Sequence, residues 1–68
     1  MSEEQRNKWI TSILTLWNTF EFRNLIQEFY NANLSHRDHV LIMDEVYKRN
    51  QFAYYDTENI ISNILFKK

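Results

Sequence analysis

A chain of 68 residues with no glycine, proline or cysteine, and with eight basic against nine acidic side chains, excludes several classes of protein. It is too short for two hydrophobic cores, and without cysteine it cannot form disulfides. Its net charge of −1 argues against direct nucleic-acid binding, which needs a basic face. Because glycine and proline punctuate turns and sheets, their absence predicts one all-α domain over 1–68, a compact bundle of three to four short helices.

The first helix is predicted over about 3–17. Ser2 followed three residues later by Gln5 has the spacing of a capping box, in which each residue satisfies the other's free backbone N–H. Apolar side chains then recur at the helical intervals of three and four, and they form a stripe made of Trp9, Ile10, Ile13, Leu14 and Trp17.

A second helix is predicted over about 19–32. Its apolar stripe consists of Phe22, Leu25, Ile26, Phe29 and Tyr30. In one continuous helix, counting 100° per residue would place this stripe roughly 150° around the axis from the first, so both could not face one core. The chain should therefore turn near Asn18 and Thr19, with Asn18 as the N-cap and Glu21 completing a capping box.

The third helix is predicted over about 36–51. In the connection over 31–34 an asparagine can adopt the left-handed conformation that glycine usually fills, and Ser35 with Asp38 opens the helix. Its apolar residues cover so much of the circumference that it should be central or lie in an interface: Val40, Leu41, Ile42, Met43, Val46 and Tyr47. The pattern leaves open whether this helix stops near Asn50 or continues to Tyr54.

A last short helix is predicted over about 57–66, capped by Asp56 or Thr57. Its inward residues should be Ile60, Ile61, Ile64 and Leu65. Lys67 and Lys68 suit the negative end of its dipole.

No catalytic, metal or cofactor site is expected. His36 and His39 are one turn apart beside Asp38, but a structural metal needs a third and a fourth ligand. Ser35 is required as a cap, so it is a poor nucleophile for a histidine–aspartate pair. The chain is therefore not expected to be an enzyme.

The aromatic content is the strongest functional signal, with two tryptophans, four tyrosines and five phenylalanines in so short a chain. Either the small core needs these rings, or some of them form a protein-binding surface, because tyrosine and tryptophan dominate binding hot spots. Tyr54 and Tyr55 are consecutive and cannot both point inward. The aromatic residues predicted to contact a partner are Trp9, Trp17, Phe52, Tyr54 and Tyr55.

Several segments resemble one family. The stretch 18–21 followed by 25–28, the pair Leu34-Ser35, and Tyr55-Asp56 before an apolar tail are similar, in this order, to the Hha/YmoA family of small helical modulators of bacterial nucleoid proteins. That resemblance implies a helical, non-enzymatic protein that binds H-NS-type partners and alters gene silencing.

The chain departs from this family at the partner contact. The family carries an Asp-His-Arg triplet in its long helix, whereas here the matching stretch is Tyr47-Lys48-Arg49, so only Arg49 carries over. The segment that follows is also about one turn shorter. Tyr47 and Arg49 join the predicted partner-binding residues, and the partner itself can differ. The span from Leu25 to Arg49 also resembles the Sda-type helical hairpins that inhibit sporulation kinases.

The function expected from the sequence is a protein-interaction module that binds and modulates a larger bacterial protein. One alternative is a phage-encoded inhibitor of a host or defence enzyme, and another is a structural homo-oligomer, such as a homodimer, in which the third helix pairs with its own copy. A cytoplasmic location is expected, because residues 1–5 are acidic and polar, unlike a secretory leader. The longest apolar run, over 40–43, is too short to cross a membrane.

Overall fold

Residues 1–66, which the computed structural model describes, form four α-helices and no strand. The helices are α1 (Glu3–Leu16), α2 (Phe22–Asn31), α3 (His36–Arg49) and α4 (Gln51–Phe66). The predicted all-α bundle is thus confirmed. α1 packs against α2 and α3, and α4 packs against the same two helices, so α1 and α4 lie diagonally across the bundle.

All four helices contribute to one apolar core. Its buried members are Ile10, Ile13, Phe22, Ile26, Phe29, Ile42, Met43, Val46 and Ala53. The stripes of the first two helices therefore face each other, as their helical spacing predicts. The inner face of α3 fills the middle of this core, whereas Val40, Leu41 and Tyr47 on the same helix are exposed.

Two of the predicted helix caps are confirmed. The Gln5 backbone N–H donates to Ser2 Oγ at 3.2 Å, and the Ser2 N–H donates to Gln5 Oε1 at 3.4 Å, which completes the capping box. At the start of α3 the Asp38 N–H donates to Ser35 Oγ at 3.2 Å. These bonds satisfy backbone donors that the first turn of a helix leaves free.

The predicted turn near Asn18 is confirmed, but the role predicted for Asn18 is wrong. Asn18 adopts a left-handed φ of 65° just after α1, where it reverses the chain and does not cap the next helix. Glu21 occupies the N-cap position of α2 without a side-chain cap bond, and α2 begins at Phe22 rather than near 19. Asn33 has a φ of 53°, as predicted for an asparagine in the second connection.

The start of α4 corrects a second prediction. α3 ends at Arg49, and Asn50 is extended, with its Oδ1 accepting from the backbone N–H groups of Phe52 at 3.1 Å and Ala53 at 3.2 Å. α4 therefore begins at Gln51, and neither Asp56 nor Thr57 is its cap. Thr57 is instead buried in mid-helix, where its hydroxyl donates to the Ala53 carbonyl at 2.8 Å.

The inward face of α4 is only partly as predicted. Ile60 and Ile61 pack against the core and Ile64 is half-buried, but Leu65 is 53% exposed. Counting 100° per residue puts Leu65 roughly 100° from the centre of the buried face of α4. Lys67 and Lys68, predicted to complement the helix dipole, lie outside the described residues.

Asp38 links the starts of α1 and α3. Its carboxylate accepts from the Ser35 hydroxyl at 3.0 Å and lies 3.4 Å from Arg6 Nη1 and 3.6 Å from the Met1 amino group. The Ser35 hydroxyl, followed by the nearby positive charges, lowers the pKa of Asp38.

This lowered pKa leads to an expected acid sensitivity. A carboxyl whose pKa is lowered by folding stabilises the fold above its unfolded pKa, about 3.9 for aspartate, and this contribution is lost as the pH falls through the folded pKa. We expect the free energy of unfolding, measured with urea between pH 6 and about pH 2, to fall less steeply in D38N than in the parent. Parallel pH profiles would contradict this role.

Candidate functional site

Three tyrosines meet at the junction of α3 and α4. Tyr47 lies in the last turns of α3, and Tyr54 and Tyr55 lie in the first turns of α4, so the sharp break at Asn50 brings them together. Ring centroids are 5.2 Å apart for Tyr47 and Tyr54, 6.3 Å for Tyr47 and Tyr55, and 5.4 Å for Tyr54 and Tyr55. All three pairs are edge-to-face, the favoured geometry of aromatic pairs. Tyr47, Tyr54 and Tyr55 are named the tyrosine cluster.

The tyrosine cluster is partly open to solvent. Tyr54 packs against the core, whereas Tyr47 and Tyr55 are exposed. Tyr47 raises the pKa of Tyr55, because a phenolate on Tyr47 would repel a second negative charge and because a hydrogen bond to Tyr47 favours the protonated form of Tyr55. Tyr55 therefore keeps its proton, and its hydroxyl remains a hydrogen-bond donor, to higher pH than an isolated tyrosine.

A groove of about 490 Å³ runs beside the tyrosine cluster, between α3 and α4. Val40 and Met43 supply apolar surface, and Asp44 and Glu58 supply two carboxylates. Asp44 Oδ2 lies 3.4 Å from Lys48 Nζ, and Glu58 Oε1 lies 3.8 Å from His39 Nε2. This tyrosine groove can take an apolar or cationic side chain, because it combines aromatic faces, an aliphatic wall and acidic groups.

Trp17 and Phe52 form a second aromatic group next to the first turn of α4. Their rings are stacked at a centroid distance of 6.4 Å and an interplanar angle of 17°. Trp17 Nε1 also donates to Asp56 Oδ2 at 2.8 Å, and its ring is half-buried. Trp17 thus ties the end of α1 to α4, while Phe52 is 71% exposed and free to contact another molecule.

The remaining two predicted partner-binding residues, Trp9 and Arg49, belong to neither set of ring contacts. Trp9 packs edge-on against Phe29 at 5.2 Å and lines a different groove, between α1 and α2. Arg49 is exposed, with its Nε 3.7 Å from Glu45 Oε2. Five of the seven predicted residues therefore belong to two sets of ring contacts beside the start of α4: Trp17, Tyr47, Phe52, Tyr54 and Tyr55.

Two exposed aromatic residues were not predicted as partner contacts. Phe20, in the turn between α1 and α2, is fully exposed, and Phe66, in the last turn of α4, is 88% exposed. A prediction that starts the last helix at 51 instead of 57 puts Phe52, Tyr55 and Phe66 in one continuous helix. Counting 100° per residue then places Phe66 on the same helical face as Phe52 and Tyr55. Phe20 belongs to neither apolar stripe, and that could have marked it as exposed.

The two histidines have separate surroundings. His39 stacks on Phe29 at 5.4 Å and faces Glu58, whereas His36 is exposed. Over residues 1–66 no three histidine, aspartate or glutamate side chains come close enough to hold a metal ion. Within the same span none of the helices has the length and apolar character that crossing a membrane requires.

Comparison with known proteins leaves the family open. The chain matches no protein-family model, no curated protein and no solved structure. The similarity to the Hha/YmoA family therefore stays a prediction from the residues quoted for it.

Proposed function

We propose that this chain is a non-enzymatic protein-interaction module that binds a larger bacterial protein and modulates its activity. The observation that supports this proposal is the tyrosine cluster, which presents two exposed rings beside a groove with an aliphatic wall and two carboxylates. Tyrosine offers a large amphipathic contact area with few rotatable bonds. The mutual ring contacts already hold these side chains in place, so less conformational entropy is lost when a partner binds.

The chemistry of the tyrosine groove indicates what the partner presents. An arginine or lysine of the partner could stack over the tyrosine rings, with its aliphatic stem along Val40 and Met43. Asp44 and Glu58 would orient that cation, while Lys48, which is exposed, rotates towards solvent. A cation over an aromatic ring contributes about 0.5–2 kcal/mol, and the rest of the affinity comes from apolar contact.

The resemblance to the Hha/YmoA family makes an H-NS-type nucleoid protein the first partner to test. A phage-encoded inhibitor of a host or defence enzyme would use the same exposed rings, so the two proposals differ in the protein bound and not in the surface. Under either proposal we expect the protein to act in the cytoplasm.

The test is affinity capture from bacterial lysate, with the full chain as bait and mass spectrometry as readout. The informative variants are Y47A and L41A, since Tyr47 and Leu41 lie on α3 and are each 39% exposed, but only Tyr47 lines the tyrosine groove. We expect Y47A to lose at least about tenfold of the captured protein, as for a hot-spot residue, and L41A to retain it. Circular dichroism checks that both variants are folded.

Two results would count against the proposal. One is capture of nothing above the resin control. The other is equal loss with Y47A and L41A, which would place the contact elsewhere. A purified H-NS-type protein that binds the parent but not Y47A would identify the partner class.

A further inference from the structure

The outer face of α4 carries an uncharged row of exposed side chains. Phe52, Tyr55, Asn59, Ser62 and Phe66 are all exposed, and 100° per residue places them within an arc of roughly 80°. These five residues are named the α4 ridge. Its ends, Phe52 and Phe66, are separated by about 21 Å along the helix, at 1.5 Å per residue.

Charged groups avoid this face. Within Gln51–Phe66 the two carboxylates are Asp56, which is bound to the Trp17 indole, and Glu58, which faces His39; they lie on opposite flanks of the α4 ridge, each roughly 40° outside its edge. A helix face that meets only water normally carries charges, and the exposed part of α3 does so. The α4 ridge is therefore not an ordinary solvated face.

The exposed apolar area is large for so small a protein. Phe20 lies next to the α4 ridge, because it lines a groove of about 730 Å³ together with Asn59 and Asn63. With about 200 Å² for each aromatic side chain, Phe20 and the three rings of the ridge expose on the order of 600 Å². The polar side chains of Asn59 and Ser62 lie between these rings and add to the face, and a stable complex buries about 800 Å² per partner.

We infer that the α4 ridge is covered by a second copy of this chain, with the two α4 helices antiparallel about a twofold axis at Asn59. A neutral face can meet its own copy without opposing like charges, and the net charge of −1 adds little repulsion. This assigns self-association to α4 and not to α3, whose inner face fills the core and whose exposed part carries charged pairs.

The register follows from the spacing of the α4 ridge. Phe52 and Phe66 are each seven residues from Asn59, so antiparallel pairing places Phe52 of one copy against Phe66 of the other, at both ends of the seam. Asn59 meets its own counterpart, and two carboxamides can each donate to and accept from the other. The same register sets Tyr55 opposite Asn63, whose amide can bond the phenol. Polar residues that pair at fixed positions of a helix–helix seam select its register, as a buried asparagine does in coiled coils.

This surface is separable from the one in the proposed function. Tyr47 and Tyr54 lie outside the α4 ridge, and Tyr55 is the residue that the two surfaces share. If the protein is a monomer and its capture of a partner depends on Tyr47, the self-association is overturned and the proposed function stands. If it is a dimer that captures nothing, the self-association stands and the proposed function is overturned.

The first test is cross-linking through a single cysteine, since the chain has none of its own. The axes of packed helices lie about 8–10 Å apart, and each Cα atom lies about 2.3 Å from its own helix axis. Two residues that face each other at the twofold axis therefore approach the Cα separation of about 4.4–6.8 Å that a disulfide requires. We expect N59C at about 10 µM to oxidise to a covalent dimer at least tenfold faster than N7C. Asn7 is an exposed control on α1, diagonal to α4. Equal rates for N59C and N7C would overturn the register.

The second test uses charge at the axis. In sedimentation velocity at about 100 µM we expect the parent and N7D to have twice the 8.4 kDa mass of one chain, and N59D and N59K each to be monomeric. A mixture of N59D and N59K should regain the dimer, because opposite charges then meet, and a folding defect could not be repaired in this way. A monomeric parent, a dimeric N59D, or assemblies larger than a dimer would overturn the inference.

Discussion

Replacing Ile13 or Ile26 by alanine is expected to leave much of the chain unfolded at 25 °C. Both side chains are completely buried, one on α1 and one on α2, at the centre of the core. Truncating a buried isoleucine costs about 2–5 kcal/mol, because apolar contacts are lost and a cavity remains. A single core in a chain of this size supplies only about 3–5 kcal/mol, so one such change can remove most of the stability.

The measurement is urea unfolding followed by circular dichroism, at one fixed protein concentration because self-association would add to the apparent stability. I64A is the matched control, since Ile64 is half-buried on α4 and lies outside the fully buried set. We expect I64A to lose less than half as much free energy of unfolding as I13A. Equal losses in I13A and I64A would show that the core is not centred where the structure places it.

The helical spacing of apolar residues was enough to predict most of the core. Two stripes that could not face one core from a single straight helix required a turn near Asn18, and the turn is there. The caps at Ser2 and Ser35 were predictable because a hydroxyl followed three residues later by Gln or Asp has few other local uses. These features depend on residues close in sequence, which is why the sequence reveals them.

The errors come from residues whose chemistry suits two local roles. Asparagine both caps helices and tolerates a left-handed backbone, and Asn18 takes the second role in the structure. Thr57 has the side chain of a cap, but its methyl group is buried and its hydroxyl bonds within the helix, so α4 starts at Gln51. This error in the start of α4 concealed the alignment of Phe66 with Phe52, and with it the α4 ridge.

Trp17 was predicted as a partner contact, and its surroundings in the structure lead us to expect a large effect on stability. Its indole stacks on Phe52 and donates to Asp56, and both of these residues lie on α4. Trp17 therefore joins the end of α1 to α4, the helix that lies diagonally across the bundle from α1. We expect W17A to lose about 3 kcal/mol of unfolding free energy, towards the low end for a tryptophan truncation because the ring is half-buried.

The phenylalanine variant separates the ring from its hydrogen bond. W17F keeps an aromatic ring against Phe52 but has no N–H for Asp56, and a hydrogen bond to a charged group contributes about 1.5–3 kcal/mol. In urea unfolding, W17F and D56A should each destabilise the fold, and the double variant should cost at least about 1 kcal/mol less than the sum of the two. Additive losses would mean that the indole and the carboxylate act independently. The tie between α1 and α4 would then rest on the ring stacking alone.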